Sequence, residues 1–282
     1  MRTATAVLLV ALLSACPAMP VTDGGAGGGS GGAGGGGGGV DGGVDAGTPR
    51  RILVMFDGTS SLSVTDPNAM RLEALRALLT AHAGDPSMSV GVMAFSGTST
   101  AWFSSATPDF VPMTSLGTSE RNTLVARLAA YSSSPDAGDF SDFVRALGDA
   151  YVAISADVSR QQGADYAVIF LSDGRPTNNQ DDQLLCGDSV KRIRELRLSG
   201  AGDVRLHTVH VFMPLAAPTC SGDAGWMAGS ACAVPVVGNP GECPAAEVDA
   251  DATRLRQMSV VGGGEFRDFR GQGAVTFTGL VP

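Results

Sequence analysis

The chain has 282 residues, 44% of them hydrophobic and 17% charged, with a formal net charge of −9. Once the glycine-rich N-terminal stretch is set aside, this composition supports one sizeable globular core. A phosphate-tracking surface is excluded, because nucleic-acid affinity rests largely on Lys and Arg, and acidic residues outnumber them here by 28 to 19. Of the five cysteines, Cys16 stands apart. Cys186, Cys220, Cys232 and Cys243 form an even set able to close two bridges in an oxidising compartment.

Residues 1–15 carry Arg2, an apolar stretch from Ala4 to Leu13 and the small residues Ser14 and Ala15. This is the layout of a secretory signal and is too short for a membrane span. Leu13-Ser14-Ala15-Cys16 resembles the lipobox of bacterial lipoproteins, in which the cysteine is acylated and becomes the new N-terminus. The resemblance implies a protein carried across the inner membrane and lipid-anchored in the cell envelope, at the outer membrane or cell surface. An ordinary signal peptide cut near Ala18 would instead discard Cys16. Residues 16–49 read as a linker: Asp23 to Gly47 is almost entirely glycine, a composition that buries nothing and predicts a flexible coil. About 25 such residues reach on the order of 25–30 Å, enough to hold a domain clear of lipid headgroups. No strand precedes the run and no Gly-Lys-Ser/Thr follows it, so it is not a phosphate loop.

The folded domain is expected over residues 50–282. Ile52 to Phe56 is an unbroken apolar run, as in a strand covered on both faces, and it ends in Asp57-Gly58 and the hydroxyls of Thr59, Ser60 and Ser61. Asp66-Pro67 reads as a helix cap with proline at the first helical position, and Leu72, Leu75, Leu78 and Leu79 share one helix face. Ser89 to Phe95 predicts a second strand, with Thr100 to Ser105 as its hairpin partner at the sheet edge. Leu124, Val125 and Leu128 mark a short helix. Phe143, Ala146, Leu147, Ala150, Tyr151 and Ile154 define a strongly amphipathic one that starts at Ser141-Asp142. Ala167 to Leu171 repeats the opening pattern, an apolar strand delivering Ser172-Asp173-Gly174. A helix from Ser189 to Leu198 with Gly200 past its end, a strand from Val204 to Phe212, an irregular insertion over 213–247, a helix near Ala246 to Val260 and a last strand at Glu265 to Phe269 complete the series. Alternating strands and helices imply an α/β, doubly wound, mostly parallel sheet with one antiparallel edge strand.

In such sheets ligands sit outside the carboxyl ends of the strands. Asp57, Thr59 and Ser61 place a carboxylate and two hydroxyls at alternate positions of one tip, a hard-oxygen set suited to Mg²⁺. A polar turn in which Asp57 caps nearby amides would use the same residues. Ser141 at a helix start and Asp173 at a second strand tip reach the same edge. The pattern resembles the von Willebrand factor type A domain and its metal-ion-dependent adhesion site, whose loops supply Asp-x-Ser-x-Ser, then a Thr, then an Asp. Thr59 and Ser141 depart from the family's usual Ser and Thr but keep the hydroxyl. Asp66-Pro67-x-x-x-Arg71 and Gly262-Gly263-Gly264-Glu265-Phe266 also look like bacterial members.

The resemblance covers Arg50 to about Arg270 and implies a Rossmann-like fold with the strands of Asp57 and Asp173 adjacent. It also implies Mg²⁺, with Mn²⁺ or Ca²⁺ as substitutes, held by Asp57, Thr59, Ser61, Ser141 and Asp173, and a protein partner whose exposed Asp or Glu completes the coordination. It further suggests bridges Cys186–Cys220, between loops after neighbouring strands, and Cys232–Cys243, although four cysteines allow three connectivities. After Phe269 only Arg270 to Pro282 remain, too short and too β-like for the family's last helix, so one face of the sheet is expected to lack its usual cover.

Phe56-Asp57-Gly58-Thr59 is similar to the haloacid-dehalogenase phosphatase signature as well, yet Met55 stands where that family's nucleophilic Asp belongs. His207 and His210 lie three apart on a strand and face opposite sides of the sheet, which reads as structural and not as zinc ligation. No nucleophile elbow or reactive-cysteine signature is present, so no enzyme chemistry is expected. The remaining alternatives are a structural domain of the same family without metal-dependent binding, and an intracellular assembly module, which the secretory signal opposes.

Overall fold

A computed structural model describes residues 47–59, 62, 66, 68–97, 99–132, 141–174, 189–212, 245–270 and 272–281. Seven strands form one sheet: β1 (Arg50–Asp57), β2 (Met88–Ser96), β3 (Ser99–Trp102), β4 (Val111–Pro112), β5 (Asp165–Ser172), β6 (Val204–His210) and β7 (Gly263–Asp268). The order is β3-β2-β1-β5-β6-β7, and β4 also pairs with β2. All pairs are parallel except β2 with β3 and β2 with β4. β3 is the expected antiparallel edge strand, and the two-residue β4 pairs antiparallel with the same β2. Thr100 to Ser105 does not continue as a strand beyond Trp102; instead Ser104 turns in, its Oγ accepting from the Val92 N–H at 3.1 Å, before the chain rejoins β2 at Val111.

Among the described residues five helices cover the sheet: α1 (Met70–Ala81), α2 (Thr118–Ser132), α3 (Phe143–Arg160), α4 (Ser189–Glu195) and α5 (Ala245–Gly262). Side chains of β1 alternate between two cores, as strand geometry requires. Ile52, Val54 and Phe56 pack with α1 and α2, whereas Leu53 and Met55 pack with α3, α4 and α5. The first core also contains Phe269, Val275, Phe277 and Leu280. The C-terminal segment thus covers the face that was expected to stay open: without forming a helix, it plants Phe277, 2% exposed, and Leu280, 1% exposed, against the sheet.

The start of α1 is displaced from the expected position. Helical geometry begins at Met70, after Ala69 in the left-handed region at φ 50°. Asp66 still caps the helix, from farther back: its Oδ1 accepts from the Met70 N–H at 2.8 Å, and its Oδ2 from the Arg71 N–H at 3.2 Å and Arg71 Nη1 at 2.7 Å. A run of Gly262, Gly263 and Gly264 lets β7 approach β6 closely; a Cβ on Gly264 would lie 2.3 Å from the Leu206 carbonyl oxygen. Among the described residues no helix is long and apolar enough to cross a membrane.

Candidate metal centre

The carboxyl ends of β1 and β5 lie side by side, with Phe56 opposite Leu171 in register. Connections run to opposite sides here, from β1 to β2 and from β5 to β6, which makes this the switch point of the sheet. Asp57 is fully buried. The Gly58 N–H donates to the Phe95 carbonyl at 2.8 Å, carrying the pairing with β2 one residue past Asp57. The Asp57 Oδ1 accepts from the Thr59 N–H at 3.1 Å and from Thr59 Oγ1 at 2.8 Å. Its Oδ2 accepts from Ser141 Oγ at 2.9 Å and from Ser172 Oγ at 2.7 Å. Burial pushes the Asp57 carboxyl above its ordinary range, and the bonds from Ser172, Thr59 and Ser141 offset this only in part.

Ser141 reaches the site because its backbone forms a parallel bridge to Gly97, just past the end of β2. Immediately after it, Asp142 caps α3 by accepting from the Arg145 N–H at 2.9 Å, so the predicted helix start is where the sequence placed it. Asp173 follows Ser172 and is buried at 6% exposure. Its carbonyl accepts from His210 Nε2 at 3.3 Å, and the other ring nitrogen of His210 faces Asp268 Oδ1 at 3.2 Å. Burial alone would raise Asp268, but bonds from His210 and Arg270 hold it well below the usual carboxylate range.

Of the sequence-predicted site residues, Asp57, Thr59, Ser141 and Asp173 converge on this edge. Ser61 lies outside the described residues, as do Cys16 and the two pairs Cys186–Cys220 and Cys232–Cys243. One contributor carries no signal of its own in the sequence: Ser172, at the tip of β5, comes beside Asp57 only once β1 and β5 are aligned. His210, like His207 expected to be structural, holds the Asp173 backbone. His207 has a different partner, its Nδ1 accepting from the Glu265 N–H at 3.0 Å.

The donor set suits a hard cation. A hydroxyl has one proton and two lone pairs. Thr59 and Ser141 each donate a proton inward to Asp57, and a hydroxyl oxygen that donates is still a hard-oxygen ligand suited to such an ion, with the buried carboxylate behind it. Among the described residues no group of three or more His, Cys, Asp or Glu is placed to hold a metal.

No family model matches the chain, and no curated protein matches it. Among solved structures, a von Willebrand factor type A protein from Catenulispora acidiphila shares 12% identity over 79% of this chain and 39% of its own, with a TM-score of 0.48. The pilus adhesin SpaC from Lactobacillus rhamnosus GG shares 12% over 78% of this chain and 28% of its own, at 0.47. Manganese-loaded TRAP protein from Plasmodium vivax shares 14% over 58% of this chain and 57% of its own, at 0.39. The chain thus spans less than half the length of the first two. Its strand order places β1 beside β5 at the switch point, with Asp57, Ser141 and Asp173 on the three loops there. The fold is a doubly wound α/β sheet of mostly parallel strands. Met55, at the position where a haloacid-dehalogenase phosphatase needs its nucleophile, is buried in the core at 0% exposure among the residues of α3, α4 and α5.

Proposed function

We propose that the chain is a cell-envelope lipoprotein whose type A domain binds a protein partner through a divalent cation and catalyses no reaction. The observation that carries this reading is the fully buried Asp57 carboxylate collecting the hydroxyl protons of Thr59, Ser141 and Ser172. A buried charge of this kind is costly unless it is compensated, and burial has raised its proton affinity. Thr59 and Ser141, joined by Ser61 on the sequence pattern alone, are the residues that would hold the ion, with Asp57 and Asp173 behind them. A bound Mg²⁺, or Mn²⁺ or Ca²⁺ in its place, would supply an exposed positive charge for an Asp or Glu of the partner, because neutral hydroxyls do not quench it as direct carboxylates would. Asp57 keeps the hydroxyls aimed, the strand tips keep the loops together, and the His210 bond to the Asp173 carbonyl holds the third loop.

The anchor half of the proposal rests on Leu13-Ser14-Ala15-Cys16 and the glycine linker. The function is tested by a pull-down from envelope and extracellular material with the chain as bait, in Mg²⁺ and in EDTA. The expected result is a partner retained in Mg²⁺ and released by EDTA. A partner retained equally in both would favour a scaffold that does not use the metal.

A further inference from the structure

We infer that Tyr131, which lies outside the ligand set, is a positioning residue that sets the cation affinity of the site by clamping two of its loops together. The inference rests on the cation reading of Asp57, Thr59 and Ser141. Tyr131 lies in the last turn of α2, where its ring meets Phe103 edge-on, with centroids 5.4 Å apart and planes at 70°. The same ring covers Gly58, the residue between Asp57 and Thr59. A Cβ on Gly58 would sit 2.6 Å from Tyr131 Cε1, 3.2 Å from its Cδ1 and 3.4 Å from the Phe95 carbonyl oxygen, so only glycine fits beneath it. The Tyr131 hydroxyl shares a hydrogen bond of 2.8 Å with Ser96 Oγ. Ser96 ends β2, and the next residue, Gly97, makes the backbone bridge to Ser141.

One side chain therefore presses on the loop of Asp57 and Thr59 and is tied to the strand tip that locates Ser141. This matters for a site of neutral ligands. Each hydroxyl binds weakly, so affinity depends on holding Thr59 and Ser141 at a fixed separation before the ion arrives. Removing a group that orients metal ligands costs about 10–100-fold in affinity. The ring acts through Gly58 and the hydroxyl acts through Ser96, so the two parts are separable by substitution.

The test uses the purified chain and Mn²⁺ alone, followed by calorimetry and by the spin-resonance signal of the bound ion. Amide exchange of peptides containing Gly58 and Thr59 is measured in parallel without metal. Tyr131→Ala should weaken Mn²⁺ binding about 10–100-fold and speed exchange at Gly58 and Thr59, whereas Tyr131→Phe, which keeps the ring on Gly58 but loses the bond to Ser96, should bind with an affinity between those of the wild type and Tyr131→Ala. Gly58→Ala should weaken binding strongly beside Tyr131 and much less in the Tyr131→Ala background, a non-additivity expected only if the ring and the glycine are in contact. Wild-type affinity in Tyr131→Ala, or strictly additive losses, would overturn the proposal. Absence of Mn²⁺ binding by the wild type would overturn the cation reading and this proposal with it. Failure of the clamp alone is told apart from that outcome, because the exchange measurement needs no metal.

Discussion

Replacing Asp66 by Ala should cost about 4 kcal/mol of folding stability, because three donors lose one acceptor group in the interior. The Asp66 side chain is 0% exposed and that of Arg71 5%. Oδ2 accepts from Arg71 Nη1 at 2.7 Å and from the Arg71 N–H at 3.2 Å, while Oδ1 accepts from the Met70 N–H at 2.8 Å. Arg71 Nε has no hydrogen-bond partner among the described residues, so the guanidinium depends heavily on this carboxylate. An uncompensated buried charge costs about 3–5 kcal/mol, and a lost helix cap about 1 kcal/mol. The two overlap, because both arise from the same carboxylate. Arg71→Met should cost less, since Asp66 keeps both amide bonds. In the double variant Asp66→Ala/Arg71→Met no charge is stranded, and the pair should show a coupling of about 2 kcal/mol or more. Urea unfolding followed by far-ultraviolet circular dichroism, with the slope checked for constancy, measures all four states. A loss below about 1 kcal/mol for Asp66→Ala, or additive single losses, would refute the claim that this pair is a buried, mutually dependent cap.

Three further outcomes are expected. Phe277→Ala should destabilise the domain by about 3–5 kcal/mol if the C-terminal segment serves as the missing helix, whereas Ala274→Ser, at an exposed position of the same segment, should change stability by less than about 0.5 kcal/mol; equal effects on thermal unfolding would contradict that role. Burial lowers His207 to about 4 from an ordinary 6.5, so the unfolded chain binds more protons between those values and stability should fall, by on the order of 2 kcal/mol, as pH drops through that window. His207→Asn keeps an acceptor for the Glu265 N–H and should flatten the acid limb; an unchanged pH profile would contradict the assignment. Metabolic labelling with a fatty acid should mark the wild type and not Cys16→Ser, and an unlabelled wild type would remove the lipid anchor from the account.

Much of the sheet was legible because its central strands are buried on both faces and so write themselves as apolar runs, Ile52 to Phe56 and Ala167 to Leu171, each ending in a polar tip. Asp57, Ser141 and Asp173 could be placed on one edge because alternation of strands and helices leaves few topologies. What was not legible depends on contacts between residues far apart in the chain. Ser172 looks like any strand terminus until β5 is set beside β1. Tyr131 carries no local signal, since its partners Gly58 and Ser96 come from two other elements. The C-terminal segment lacks helical periodicity, and its role appears only when Phe277 and Leu280 are seen filling the first core. The displaced start of α1 follows from Asp66, a capping side chain that bonds to amides four and five residues onward, so that the expected proline position falls before the helix.

The account's central claim is that Asp57 organises hydroxyls to hold a divalent cation. Calorimetric titration of Mg²⁺ and Mn²⁺ into the chain tests it, alongside Asp57→Ala and Asp173→Ala, with circular dichroism confirming that each variant stays folded. Saturable binding by the wild type, lost in both folded variants, is the predicted result. Binding that survives in Asp57→Ala, or is absent from the folded wild type, would contradict the claim.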